Sequence, residues 1–135
     1  MKEKLFEKLT NSYEDMIVMR RYLHMNPELS YKEEKTAKYI VDFYGDLGVD
    51  VRSGVGGNGV VARIKGGRPG KTVALRADFD ALPIQDEKDV PYKSTIPGVM
   101  HACGHDGHTT TLPQISEERR GRNTCRAGWS PAHQK

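Results

Sequence analysis

The sequence has 135 residues, of which 36% are hydrophobic, and a formal net charge of +3 at pH 7. This length allows one domain with a hydrophobic core. Basic and acidic residues are intermixed, so nothing in the charge pattern favours nucleic-acid binding. No apolar run is long enough to cross a membrane, the charged N-terminus is unlike a signal peptide, and two cysteines do not make a disulfide framework. These features favour a cytoplasmic protein.

Two amphipathic helices are predicted at the start of the chain. In residues 2–24 hydrophobic side chains recur at steps of three and four, and Pro27 follows shortly after. A second helix is expected to begin at Ser30, with Glu33 completing a capping box. Gly48 is expected to end it in a left-handed conformation.

After Gly48 the hydrophobic period changes from that of a helix to that of a strand. Residues 60–65 and 71–77 are predicted as two strands joined by a short loop at 66–70. The second strand is apolar on both faces, which is typical of the middle of a covered sheet. The fold class is therefore α/β, with helices packed on a mixed sheet. The glycine-rich segment 54–59 lacks the strand–loop–helix order of a nucleotide-binding loop, which argues against that function.

The character of the chain changes near Pro113. Residues 116–135 show neither helical nor strand period. A helix opening at Asp106 should still be running at Pro113, where a proline costs about 3 kcal/mol. We therefore expect one folded unit over residues 1–112. Residues 113–135 are expected to be an unrelated, disordered tail, of the kind that a frameshift or premature stop produces.

Two carboxylates follow the predicted central strand. Asp78 and Asp80 are two residues apart, so on an extended segment they point the same way and could reach one centre. The ends of strands are where α/β sheets build their sites. A solvated strand end with an Asx turn is the alternative.

The richest chemistry lies in residues 98–109 (GVMHACGHDGHT). His101, Cys103 and His105 are spaced by two, so an extended segment would project them from one side, and a helix starting there would add His108. Thiolate and imidazole together suit zinc, manganese, cobalt or nickel better than calcium or magnesium. The alternatives are a surface histidine loop, a structural zinc knuckle and a nucleophilic cysteine.

The end of the first predicted helix also carries cations. Arg20, Arg21 and His24 lie near its C-terminus, where positive charge is favoured by the helix dipole. That structural role is sufficient to explain them.

Three blocks of this sequence resemble the N-terminal part of the peptidase M20 amidohydrolases. The resemblance is to the branch that contains hippurate hydrolases, N-acyl-amino-acid deacylases and N-acetyldiaminopimelate deacetylase. The blocks are residues 20–33 (RRYLHMNPELSYKE), 74–84 (ALRADFDALPI) and 98–109. Their order and spacing agree with the family, and the resemblance covers about residues 3–112.

This resemblance implies the N-terminal portion of a zinc-peptidase-like, three-layer α/β/α catalytic domain. In the intact family a lid domain dimerises, and two divalent metals activate a water that attacks the amide of an N-acyl amino acid. By position, Cys103 and His105 would be metal ligands. Asp80 would be the catalytic aspartate that orients the metal centre, with Asp78 beside it. The resemblance gives His101, Asp106 and His108 no role of their own, and we expect them to surround the ligands.

The sequence departs from the family pattern after this block. Family members continue with a strand and a Gln-Pro-Ala-Glu-Glu-like motif, which brings the general base and another ligand, and later with further histidine ligands. Here the only glutamates after His108 are Glu117 and Glu118, with no strand before them. We therefore expect a truncated amidohydrolase that is inactive alone. The alternative is a non-catalytic metal-binding or interaction fragment.

Overall fold

A computed structural model describes residues 2–66 and 69–120 of the chain. The elements are four helices and two strands: α1 (Lys2–Asn11), α2 (Tyr13–Met25), α3 (Glu34–Asp46), β1 (Asp50–Val55), β2 (Gly59–Arg63) and α4 (His105–Arg120). This mixture of helices and strands confirms the α/β class. Across the described ranges, no helix combines the length and apolar character that a membrane crossing requires.

The first predicted helix is broken at Ser12 into α1 and α2. The Ser12 carbonyl accepts the Met16 N–H (3.1 Å), while its hydroxyl donates to the Leu9 carbonyl (3.3 Å) at the end of α1. Serine hydroxyls compete with helical hydrogen bonds and favour helix ends. The prediction of one continuous helix over residues 2–24 is therefore wrong at this residue.

The second predicted helix begins later than expected, at Glu34 instead of Ser30. Glu33 forms no capping box, because its Oε1 accepts the Tyr31 N–H (3.0 Å) and its Oε2 accepts the Asn58 side-chain amide (3.1 Å). Tyr31 has a φ of 64°, which is incompatible with a helix and uncommon for a bulky residue. The capping prediction is wrong because the carboxylate is used by the loop before the helix and by the turn of a hairpin.

The predicted end of α3 is confirmed. Gly48 has a φ of 64°, and its N–H donates to the Gly45 carbonyl (2.8 Å). The Val49 N–H donates to the Tyr44 carbonyl (3.2 Å), which completes a Schellman motif. This cap turns the chain directly into β1, so that α3 packs on the hairpin that follows.

Strands β1 and β2 form an antiparallel hairpin, in which Arg52 pairs with Val61 and a bulge follows in β1. The glycine-rich segment provides its turn. A Cβ atom on Gly59 would collide with the Val55 carbonyl, so the close approach of the two strands requires glycine there. The segment therefore serves a hairpin, which agrees with the argument against a nucleotide loop, and β2 overlaps the strand predicted at 60–65.

The strand predicted at residues 71–77 is absent, since the described residues 69–80 contain neither helix nor strand. Val73 and Leu75 are 70% and 57% exposed. A strand that is apolar on both faces needs hydrogen-bonding neighbours and layers that cover it. The only sheet within the described ranges is the β1–β2 hairpin, so this prediction is wrong for want of a partner.

The core lies between α2, α3 and the loop that precedes α4. Helix α2 packs against α4, and Leu23 is only 2% exposed. The Ala81 N–H donates to the Glu28 carbonyl (2.8 Å), and the Leu82 N–H donates to the Met100 carbonyl (3.0 Å). These bonds join the three sequence blocks, and the buried apolar side chains are Met19, Leu23, Ala37, Tyr44 and Ala81.

Helix α4 runs through Pro113, where the sequence predicted an interruption. Proline removes one backbone hydrogen bond of a helix, and α4 nevertheless continues through it to Arg120. The Thr110 hydroxyl donates to the Asp106 carbonyl (2.6 Å), and the Thr111 hydroxyl donates to the Gly107 carbonyl (2.8 Å). Most of the predicted disordered tail falls on residues 121–135, which lie outside the described residues. The boundary after residue 112 stays a prediction.

Candidate metal centre

The start of α4 meets the segment that carries the two aspartates. His105 Nδ1 lies 2.8 Å from Asp80 Oδ1 and 3.0 Å from the Asp80 carbonyl oxygen. The Thr109 hydroxyl donates to the Asp78 carbonyl (2.9 Å). The His108 ring lies 6.0 Å from that of His105, as the predicted helix requires. The structure thus brings Asp80 and His105 together from positions 25 residues apart.

Asp78 engages a different partner from Asp80. Its Oδ1 accepts a hydrogen bond from Arg76 Nε (2.8 Å), and both side chains are exposed. This hydrogen bond lowers the pKa of the Asp78 carboxyl below its ordinary value. The common centre expected for both aspartates is therefore not seen, although both line the same cavity.

The residues before α4 differ in exposure. His101 is only 5% exposed and neither ring nitrogen has a hydrogen-bond partner, whereas Cys103 is exposed and forms no disulfide within the described residues. Burial lowers the pKa of His101, against the opposing effect of the Asp106 charge. Gly104, with a φ of 81°, turns the chain into α4. This turn interrupts the alternation that was expected to align His101, Cys103 and His105.

A group of charged side chains, centred on the buried His24, Asp86 and Asp106, links α2 to α4. His24 Nδ1 lies 2.8 Å from Asp106 Oδ2, and Lys88 Nζ lies 2.9 Å from His24 Nε2. Lys88 Nζ also lies 3.0 Å from Asp86 Oδ1, and Arg20 Nε lies 3.4 Å from Asp106 Oδ2. We call these five residues the His24 network. Sequence reasoning missed it, because it assigned the helix-end cations to the helix dipole alone.

The Asp106 carboxyl is almost fully buried, at 1% exposure. Burial raises its pKa, but the hydrogen bonds from His24 and from the Gly107 N–H, together with the Arg20 charge, outweigh burial and lower it overall. An ionised Asp106 carboxylate can only accept the hydrogen bond from His24 Nδ1, and a neutral ring with its proton on Nδ1 would have Nε2 as an acceptor for the Lys88 ammonium.

Asp86 anchors the other side of the network. Its carboxyl is 0% exposed and accepts hydrogen bonds from the backbone N–H groups of Ser94 (3.0 Å) and Lys88 (3.1 Å). The Ser94 bond and those from Lys88 hold the pKa of Asp86 far below its ordinary value, against the effect of burial. Asp86 therefore fixes the loop and the ammonium that contacts His24.

An open cavity of about 620 Å³ lies beside the His105–Asp80 pair. This volume falls in the range of small-molecule sites. The hairpin turn and the loop before α3 form part of its wall, which includes Tyr31, Glu33, Asn58, Arg76 and Asp80. The pair is thus accessible to a small ligand.

The side chains next to this cavity fit a metal in chemical type. His105 uses Nδ1 for the Asp80 carboxylate, and this contact favours the tautomer whose Nε2 lone pair can bind a metal. The exposed Cys103 thiol is a donor of the kind zinc prefers. Within residues 2–66 and 69–120, no three His, Cys, Asp or Glu side chains are grouped closely enough to hold an ion. The side chains are therefore of the right chemical type to bind a metal, but the described residues do not form a complete set of ligands.

Comparisons with known proteins agree with this arrangement. Residues 74–115 match the family model for "Peptidase family M20/M25/M40". The protein YhaA of Bacillus subtilis is 58% identical over 117 residues, which are 87% of this chain and 30% of that protein. The N-acyl-L-amino acid amidohydrolase of Geobacillus stearothermophilus is 51% identical over 98 residues, which are 73% of this chain and 26% of that protein.

A solved structure extends the match to the fold. The crystal structure of the Bacillus subtilis YXEP protein, described as a dinuclear metal binding peptidase of the M20 family, superposes with a TM-score of 0.74. It is 39% identical, and the match covers 82% of this chain and 32% of that one. The described fold is thus homologous to the N-terminal part of peptidase family M20 proteins, as the sequence blocks predicted. The chain spans about 30% of the length of the curated relatives it matches.

Proposed function

We propose that this chain supplies part of the divalent-metal centre of an amidohydrolase that acts on N-acyl amino acids, with Cys103 and His105 as ligands. The observation that carries this proposal is the 2.8 Å contact between His105 Nδ1 and Asp80 Oδ1 beside an open cavity. The names of the Geobacillus relative and of the YXEP structure support the substrate class and the presence of metal.

Each residue has a distinct task in this proposal. Asp80 accepts the Nδ1 proton of His105 and fixes the ring, so that Nε2 is presented to the metal. Cys103 binds as a thiolate on the exposed side of the turn at Gly104. A divalent metal would there supply a Lewis acid for the amide carbonyl and a bound water of lowered pKa. Its identity, among zinc, manganese, cobalt and nickel, is left open by the ligands.

The described residues provide no obvious general base. Glu33 is the one glutamate among the cavity-lining residues, and both of its oxygens accept hydrogen bonds, from the Tyr31 N–H and from the Asn58 amide. A general base must be able to reach and accept a proton from the attacking water. We therefore propose that the chain binds metal by itself but does not turn over substrate.

The test of metal binding uses the Cys103 thiol as its reporter, in a Cys125→Ser background that removes the other cysteine. Zinc should slow alkylation of Cys103 by about tenfold or more, because a coordinated thiolate is a poor nucleophile. His105→Ala should abolish this protection, whereas His108→Ala, which removes a neighbouring ring that is not a proposed ligand, should reduce it less. Equal alkylation rates with and without zinc would refute the site.

The test of turnover assays the unmodified chain with N-acetyl and N-benzoyl amino acids in the presence of manganese or zinc. We expect no amine release above that of metal alone. Turnover that disappears in Cys103→Ala would contradict the inactivity while supporting the site.

A second candidate, a non-catalytic fragment that pairs with another chain, is favoured by one observation. Val73 and Leu75 are 70% and 57% exposed, and residues 71–77 lie outside any described strand. A monodisperse species with one metal per chain in sedimentation and metal analysis would favour this candidate. Concentration-dependent aggregation would argue against it.

A further inference from the structure

We propose that His24 is a positioning residue for the metal centre. Through its hydrogen bond to Asp106, His24 fixes the first turn of α4 and with it the placement of His105 and Cys103. This inference rests on the proposed metal site, and it concerns a residue that contacts neither proposed ligand.

The first step of the argument is the way Asp106 is used. Its Oδ2 accepts the Nδ1 hydrogen bond from His24 (2.8 Å), while its Oδ1 accepts the Gly107 N–H (2.9 Å). Its carbonyl accepts the Thr110 hydroxyl (2.6 Å). The side chain and the carbonyl of Asp106 are thus both hydrogen-bonded within the first turns of α4. The His24 contact with this side chain therefore holds the backbone of that turn.

The second step is that α4 is held from two directions. Asp106 follows His105 directly, and successive residues of an α-helix are about 100° apart around its axis. Asp80 contacts His105, and His24 contacts Asp106. A rotation of the first turn that preserved one of these contacts would break the other. Loss of the His24–Asp106 contact should therefore allow the first turn of α4 to rotate. His105 would then be displaced although its contact with Asp80 is retained.

The third step is that His24 is itself fixed. Lys88 Nζ lies 2.9 Å from His24 Nε2, and Asp86 holds both the Lys88 ammonium and the Ser94 N–H. The His24 ring lies in the last turn of α2, whose Leu23 is buried in the core. The position of the ring is thus set by elements that contain no proposed ligand.

The test separates the two ring nitrogens of His24. In His24→Asn the side-chain amide lies near the place of Nδ1 and can still donate to Asp106, whereas in His24→Gln it lies near that of Nε2 and cannot. Each is made in the Cys125→Ser background and titrated with cobalt(II), read by the thiolate-to-cobalt charge-transfer absorption. We expect the cobalt affinity of His24→Asn to lie within about threefold of that of its parent. His24→Gln should bind cobalt about 10–100-fold more weakly and show a weaker charge-transfer band.

A second pair of variants serves if His24→Gln does not fold, as judged by far-UV circular dichroism. Asp106→Asn should weaken cobalt binding as His24→Gln does. Lys88→Met spares the His24–Asp106 contact and removes only a contact to the far side of the ring, so it should weaken cobalt binding less than Asp106→Asn does.

The possible failures are distinguishable. A parent protein without a cobalt–thiolate band refutes the proposed function and this inference with it. The positioning role alone is overturned if the parent shows a normal band and the two variants, His24→Asn and His24→Gln, have the same affinity for cobalt. This holds whether that shared affinity equals that of the parent or is weaker. In the second pair, equal effects of Asp106→Asn and Lys88→Met overturn it in the same way.

Discussion

Two regions of this molecule differ in how far their apolar side chains are buried by the rest of the chain. Helices α2 and α4 pack together, with Leu23 buried at 2% exposure and the His24 network between them. Residues 71–77 have the pattern of a buried strand, yet Leu75 is 57% exposed and no described strand lies beside them. The difference shows that an apolar pattern forms regular structure only where other elements bury it.

The largest expected effect comes from making the same substitution in both regions. Leu23→Ala should lower the free energy of unfolding by about 2–5 kcal/mol, since it leaves a cavity in the core. Leu75→Ala should change it by less than about 0.5 kcal/mol, since an exposed side chain loses little. Urea denaturation followed by circular dichroism measures both. Equal losses would show that residues 71–77 are buried in solution, and would break the comparison.

The sequence predicted the features that depend on short-range patterns. Gly48 is recognisable as the helix cap because its signal is local. The roles of Asp80 and His105 rest on the family resemblance and stay predictions, although the structure places their side chains together. The His24–Asp106 contact spans 82 residues and has no signature in either segment alone. The strand at 71–77 was wrongly predicted because its pattern describes an environment that the described residues do not provide.

A substitution in the His24 network should lower the free energy of unfolding more than one in the exposed residues 71–77. Asp86→Ala leaves the Ser94 and Lys88 N–H groups without their acceptor, which should cost about 1–3 kcal/mol at neutral pH. Chemical denaturation of the variant and its parent measures this difference.

The same carboxyl predicts a pH dependence. The pKa of Asp86 is lowered in the folded chain from its ordinary value of 3.8. Its stabilising contribution is therefore fully present above that value and is lost as the pH falls below it toward the folded pKa. The difference between the parent and Asp86→Ala should shrink between neutral pH and about pH 3. A difference that stayed constant with pH would show that folding does not lower the pKa of Asp86.

The hairpin provides a smaller, matched test of packing with two glycines. Gly59→Ala should destabilise the chain by about 1–3 kcal/mol, because its Cβ would collide with the Val55 carbonyl. Gly45→Ala, in α3 with nothing near its Cβ, should stabilise by about 0.5–1 kcal/mol through helix propensity. Thermal unfolding midpoints that move in the same direction would contradict the described hairpin.

The smallest effect should come from an exposed ion pair. Lys38 Nζ lies 2.8 Å from Asp42 Oδ2 across one turn of α3, and both side chains are exposed. Lys38→Ala should cost no more than about 0.5 kcal/mol. A loss in urea denaturation comparable to that of Asp86→Ala would show that exposure does not separate strong from weak contacts in this molecule.

The central claim, that Cys103 and His105 bind one metal, is tested most directly by X-ray absorption at the zinc edge. The sample is the zinc-loaded chain in the Cys125→Ser background. The account predicts one sulfur at about 2.3 Å and at least one imidazole nitrogen at about 2.0 Å from the zinc, with the sulfur shell lost in Cys103→Ser and the imidazole contribution reduced in His105→Ala. A first shell of oxygen and nitrogen alone, unchanged by either substitution, would contradict it.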